Sequence, residues 1–96
     1  MQRTREVKLG DVLHAILRAD GLETPLNEYR ASTAWAEVMG PVIAEYTSKV
    51  EVRGGVMYLS ITNAALRQEL MMSKASIAAR INEHVGAQVI QQIVIR

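Results

Sequence analysis

The chain has no cysteine, only two prolines and few aromatic residues, and eleven basic against ten acidic side chains leave a formal net charge of just +1. Without cysteine, disulfides, cysteine-ligated zinc, iron–sulfur clusters and thiol catalysis are excluded. No segment approaches the roughly 20 apolar residues of a membrane span, and the opening "MQRTREVKLGD" lacks the apolar stretch of a secretory signal. A soluble, cytoplasmic protein without membrane contact is expected. So small a surplus of charge gives no global attraction to phosphate, and any contact with nucleic acid must rest on local clusters.

What is present is an ordinary globular composition, with 49% hydrophobic and 22% charged residues in 96 positions. A chain of this size buries roughly 60 to 70% of its unfolded surface, enough for a single domain, here residues 1–96, with one modest core. In "KLGDVLHAILRADG", Leu9, Val12, Leu13, Ile16 and Leu17 recur at helical spacing, and Gly21 closes the helix. In "ETPLNEYRASTAWAEVMG", Thr24 as N-cap and Pro25 at the first helical position start a second helix that runs to Gly40. Trp35, Val38 and Val42 fall on one face, and Gly40 with Pro41 marks a bend after which a new short helical turn can begin.

From Lys49 the period changes to two. "KVEVRGGVMYLSIT" alternates Val50 and Val52, then Met57, Leu59 and Ile61, against polar neighbours, and Gly54 with Gly55 provides the positive φ angles of a tight hairpin turn. Asn63 can cap a third helix that ends at Gly86, with Leu66, Leu70, Ile77 and Ile81 as its apolar stripe; the stretch from Ser73 to Ser76 marks either a kink or a division in two. "QVIQQIVIR" is β-branched and reads as a closing strand with Val89, Ile93 and Ile95 inward. The order α-α-β-β-α-β predicts an α+β fold, a small three-stranded sheet with helices on one face. The unit from second strand through helix to last strand is expected to cross over right-handed.

Taken together, Trp35, Val38 and Gly40, the hairpin "VEVRGGVMYLSIT", then "NAALRQEL", "IAARINEHVG" and "VIQQIVIR" resemble the DciA family over nearly the whole chain, most strongly over residues 33–96. The resemblance implies a KH-like domain related to the type II arrangement. It also implies a bacterial replication accessory that helps load or operate the DnaB-type replicative helicase and contacts DNA weakly. Two features depart from the family pattern. Many members extend beyond the folded domain in a basic, disordered segment, and a tryptophan often precedes the "EL" of the third helix, where this chain has Ala65 and Leu66.

KH domains grip nucleic acid through a GxxG loop whose bare backbone admits the phosphate chain, and no GxxG occurs in this sequence. Basic candidates for nucleic-acid contact are Arg3, Arg5 and Lys8 in an N-terminal arm (residues 1–8, expected to be flexible), Lys49 and Arg53 on the hairpin, and Arg67 and Lys74 on the third helix. The competing reading is a set of solvated charges offset by Glu6, Glu51 and Glu69. Met72, on the far side of the third helix, is a candidate partner contact. Trp35, Gly40, Pro41, Gly54, Gly55 and Gly86 are assigned structural roles, with Trp35 buried where the second helix meets the sheet and its indole N–H seeking a partner near the domain edge.

His14 and His84 have no acidic or second histidine companion at metal-ligand spacing, and the serines and carboxylates form no readable nucleophile set. No enzyme activity, cofactor, metal or small-molecule substrate is expected. His84 is placed to meet the C-terminal carbonyls of its own helix. Two alternatives stand beside the replication reading: a KH-like RNA-binding module, disfavoured because Tyr58 is the only aromatic residue in either hairpin strand, and a structural adaptor or homodimer that uses an unpaired sheet edge.

Overall fold

A computed structural model describes residues 23–96; the first predicted helix and the basic arm lie outside the described residues. Helix α1 (Glu23–Met39) is followed by α2 (Pro41–Glu45), strands β1 (Thr47–Arg53) and β2 (Val56–Ile61), helices α3 (Ala64–Met71) and α4 (Lys74–Val85), and strand β3 (Gln92–Ile95). The sheet order is β1-β2-β3, antiparallel between the first two strands and parallel between the last two, so the fold is α+β with a mixed three-stranded sheet. Thr24 is already helical rather than an N-cap, and Pro25 sits in the first turn, where its missing N–H leaves no intrahelical bond unmade.

Ala31, Ala34 and Trp35 are buried on one face of α1, with Val38 partly buried beside them. The two alanines keep the helix close to its neighbours, and Trp35 fills the space beside them. Gly40, at φ +92°, ends the ladder and becomes the N-cap of α2, with Pro41 at its first position. That break resets the helical phase. Val42 was expected on the Trp35 face and is instead 68% exposed, while Ile43 takes the inward position.

The hairpin closes with Arg53 paired to Val56, and Gly54 (φ +58°) and Gly55 (φ +83°) form the two-residue turn in between. A Cβ on Gly55 would meet the Gln91 side-chain oxygen at 3.2 Å. The carbonyl of Gly55 also accepts a 2.7 Å bond from the Gln91 N–H, which starts the parallel pairing of β3. Asn63 caps α3 as expected, its Oδ1 accepting from the Leu66 N–H at 2.8 Å. The third predicted helix is divided: the ladder stops at Met72 and Ser73, and α4 begins at Lys74.

Met57, Leu59 and Ile61 of β2, Val52 of β1, and Ile93 and Ile95 of β3 point inward against Trp35, Leu70, Ile77, Ile81 and Val85. The last strand is shorter than expected. Ile90, not Val89, is the buried residue before it, because residues 86–91 form an irregular connection whose side chains do not alternate. Asn82 holds that connection: its Oδ1 accepts from the N–H groups of Val89 (2.9 Å) and Ile90 (2.7 Å), and its Nδ2 donates to the Ile90 carbonyl at 2.9 Å. One side chain thereby satisfies three backbone groups and fixes where β3 enters the sheet.

Candidate functional site

The period of two that buries one side of each strand necessarily presents the other side outward. On β1 the outward residues are Lys49, Glu51 and Arg53, on β2 Val56, Tyr58 and Ser60, and on β3 Gln92 and Val94, with Arg96 following in the same phase. Pairing sets Glu51 opposite Tyr58 and Tyr58 opposite Val94, so Tyr58 occupies the centre of the middle strand. Two guanidinium groups lie over its ring, that of Arg53 at 4.8 Å and that of Arg96 at 5.2 Å from the centroid. At these distances each cation is attracted by the negative face of the ring.

Glu51 is the one acidic side chain among these outward positions. Its carboxylate is 3.1 Å from Arg53 Nε and 3.9 Å from Lys49 Nζ. All three side chains are more than a third exposed, so these pairs are screened by solvent and contribute little to stability. Three cations against one carboxylate leave this face locally basic on a chain that is nearly neutral overall.

The remaining sequence-predicted residues are scattered. Arg3, Arg5 and Lys8 lie outside the described residues. Arg67 is partly buried, its Nη2 donating to the Ile61 carbonyl at 2.9 Å and its Nε buried without a partner, so its guanidinium braces the junction of β2 and α3. Lys74 opens α4, on the helical side of the molecule. Met72 is 71% exposed at the turn between α3 and α4, with Met71 beside it at 43%. Val42 and Tyr46, also exposed, flank the start of β1, the end of the sheet where β2 finishes.

Trp35 is 1% exposed, and its Nε1–H donates to Thr47 Oγ1 at 3.0 Å, while that hydroxyl donates to the Ile43 carbonyl at 2.8 Å. The tryptophan is thus an anchor between α1, α2 and the start of β1, where a shift of register between Thr47 and Lys49 marks an irregular pairing. His84 meets Glu37 of α1 at 2.8 Å instead of its own helix terminus. Around that pair, Arg30 donates to the Val85 carbonyl and Arg80 to the Val38 carbonyl, each at 3.0 Å, so α1 and α4 each supply an arginine to the other's C-terminal end. Among the described residues no three histidine, aspartate or glutamate side chains come together as metal ligands, and no described helix is long and apolar enough to cross a membrane.

Residues 8–95 match the family described as "Dna[CI] antecedent, DciA". The chain belongs to the DciA family. Two similar proteins come from Mycobacterium leprae, "UPF0232 protein MLBr00004" of strain Br4923 and "UPF0232 protein ML0004" of strain TN. Each is 28% identical over 85 residues, which covers 88% of this chain and 45% of the relative. This DciA-family chain therefore spans less than half the length of those relatives. Sequence reasoning found Lys49 and Arg53 of the basic face but passed over Tyr58 and Arg96 as members of it. The signal for Arg96 was its phase, since it continues the outward alternation of Gln92 and Val94 opposite Ile93 and Ile95.

Proposed function

We propose that this protein is a non-catalytic accessory of bacterial DNA replication that acts in the cytoplasm, assists loading or operation of the DnaB-type replicative helicase and contacts nucleic acid weakly. The observation that carries this reading is membership of the DciA family across residues 8–95. The helicase contact is assigned to the apolar corner at the turn between α3 and α4. There Met71 and Met72 face solvent, and unbranched, polarizable methionine side chains adapt readily to a partner surface.

Nucleic-acid contact is assigned to exposed cations. With Lys49, Arg53 and Arg96 as the phosphate partners, binding to a single strand should weaken with salt at a logarithmic slope of about −2. The basic arm of Arg3, Arg5 and Lys8 would add to that slope. Size-exclusion chromatography with the cognate helicase, followed by an assay of helicase loading onto single-stranded DNA, tests the reading. Co-elution and a changed loading rate are expected. A protein that neither co-elutes nor alters loading is not a helicase accessory.

A further inference from the structure

We propose that the open face of the sheet is a binding platform for single-stranded DNA, in which Tyr58 and the guanidinium planes of Arg53 and Arg96 stack unpaired bases while Lys49 and the same arginines take the phosphates. The proposal rests on the replication reading above for its choice of DNA, but the surface itself is argued from geometry.

A half-buried aromatic residue on the outer face of a sheet is ordinary. Here two arginines from opposite sides of the sheet, one ending β1 and one following β3, converge on that ring. Arginine is the cation suited to this position, because its guanidinium is flat, stacks on aromatic faces and also forks onto phosphate oxygens. The positions between them, Val56, Ser60, Gln92 and Val94, carry no charge, and Glu51, the one acid among the outward positions, has its carboxylate paired with Arg53 and Lys49. Neighbouring strands lie about 4.8 Å apart, so Tyr58 and the two outer strands present a flat area wide enough for a base. None of the described helices covers it, since the buried side chains of the sheet lie on its other face.

The combination of a π surface and flanking cations selects single strands. Every unpaired base has a stacking face, whereas in a duplex those faces are already stacked. This mode needs no GxxG loop, and it sits on the side of the molecule away from the turn between α3 and α4.

Fluorescence anisotropy of a dye-labelled oligothymidylate of about 15 nucleotides, titrated with the full 96-residue chain at several salt concentrations, tests the assignment. Tyr58→Leu should weaken binding by about 5- to 100-fold at fixed salt without changing the salt slope. Arg53→Gln combined with Arg96→Gln, at two exposed positions that leave the core untouched, should make the salt slope about 1.4 units shallower. A matched duplex should bind more weakly than the single strand. Unchanged affinity in both variants overturns the platform, and tighter binding to oligouridylate than to oligothymidylate overturns its assignment to DNA. The Tyr58→Leu variant should still co-elute with the helicase. Failure of the wild-type protein to co-elute would remove the replication reading while leaving the anisotropy result to stand or fall alone.

Discussion

The two faces of the three-stranded sheet are built from adjacent residues of the same strands, yet they differ in almost every physical respect. Inward, Val52, Met57, Leu59, Ile61, Ile93 and Ile95 lie within a closed apolar core under α1 and α4. Outward, Lys49, Glu51, Arg53, Tyr58 and Arg96 form a polar layer whose contacts are cation–ring attractions and screened ion pairs. A one-residue slip of register would exchange the two sets, so the core that holds the fold also fixes which side chains face outward. The outer face is consequently free to serve recognition, because changes there remove little buried area.

That comparison can be broken most severely from the inside. Trp35→Ala removes the largest buried side chain together with its bond to Thr47, and should lower unfolding stability by about 3 to 5 kcal/mol, read from the urea midpoint. Asn82→Ala should cost about 2 to 3 kcal/mol in the same measurement, because two N–H groups and one carbonyl of the connection before β3 lose their partner. Thr47→Val keeps shape but leaves the indole N–H of Trp35 unpaired, and should cost about 1 to 2 kcal/mol. The outer face gives the smallest stability effect: Tyr58→Leu should cost about 1 kcal/mol in the same measurement, since it removes two solvent-accessible cation–ring contacts worth about 0.5 kcal/mol each. If Tyr58→Leu were as destabilising as Asn82→Ala, the outer face would be part of the structural core and the contrast would collapse.

Much of this division was legible in the sequence. Alternation from Val50 to Ile61 identified both faces of the hairpin, the diglycine located its turn, Asn63 announced the helix that follows, and Trp35 read correctly as a buried anchor. The weak point at Ser73 to Ser76 was legible as either a kink or a division, and the structure shows a division, with the break at Met72 and Ser73. Two features were not legible, each for a physical reason. Ile90 is fully buried while Val89 only packs against the core, because a side chain eight positions earlier, Asn82, dictates the path of the connection. The meeting of Arg53, Tyr58 and Arg96 depends on the parallel register of β2 with β3, set through two intervening helices and invisible to local pattern. The arginines were likewise indistinguishable by sequence, although Arg67 is partly buried and bonded to the Ile61 carbonyl while Arg53 and Arg96 lie on the outer face of the sheet.

The most direct test is to titrate isotope-labelled protein with oligothymidylate at low salt and follow its backbone amide resonances. Perturbations concentrated at residues 49–53, 56–60 and 92–96, with the turn at Met72 and Ser73 unmoved, are predicted. Shifts centred on that turn, with Tyr58 and its two arginines unaffected, would contradict the account and return nucleic-acid contact to the helical side of the fold.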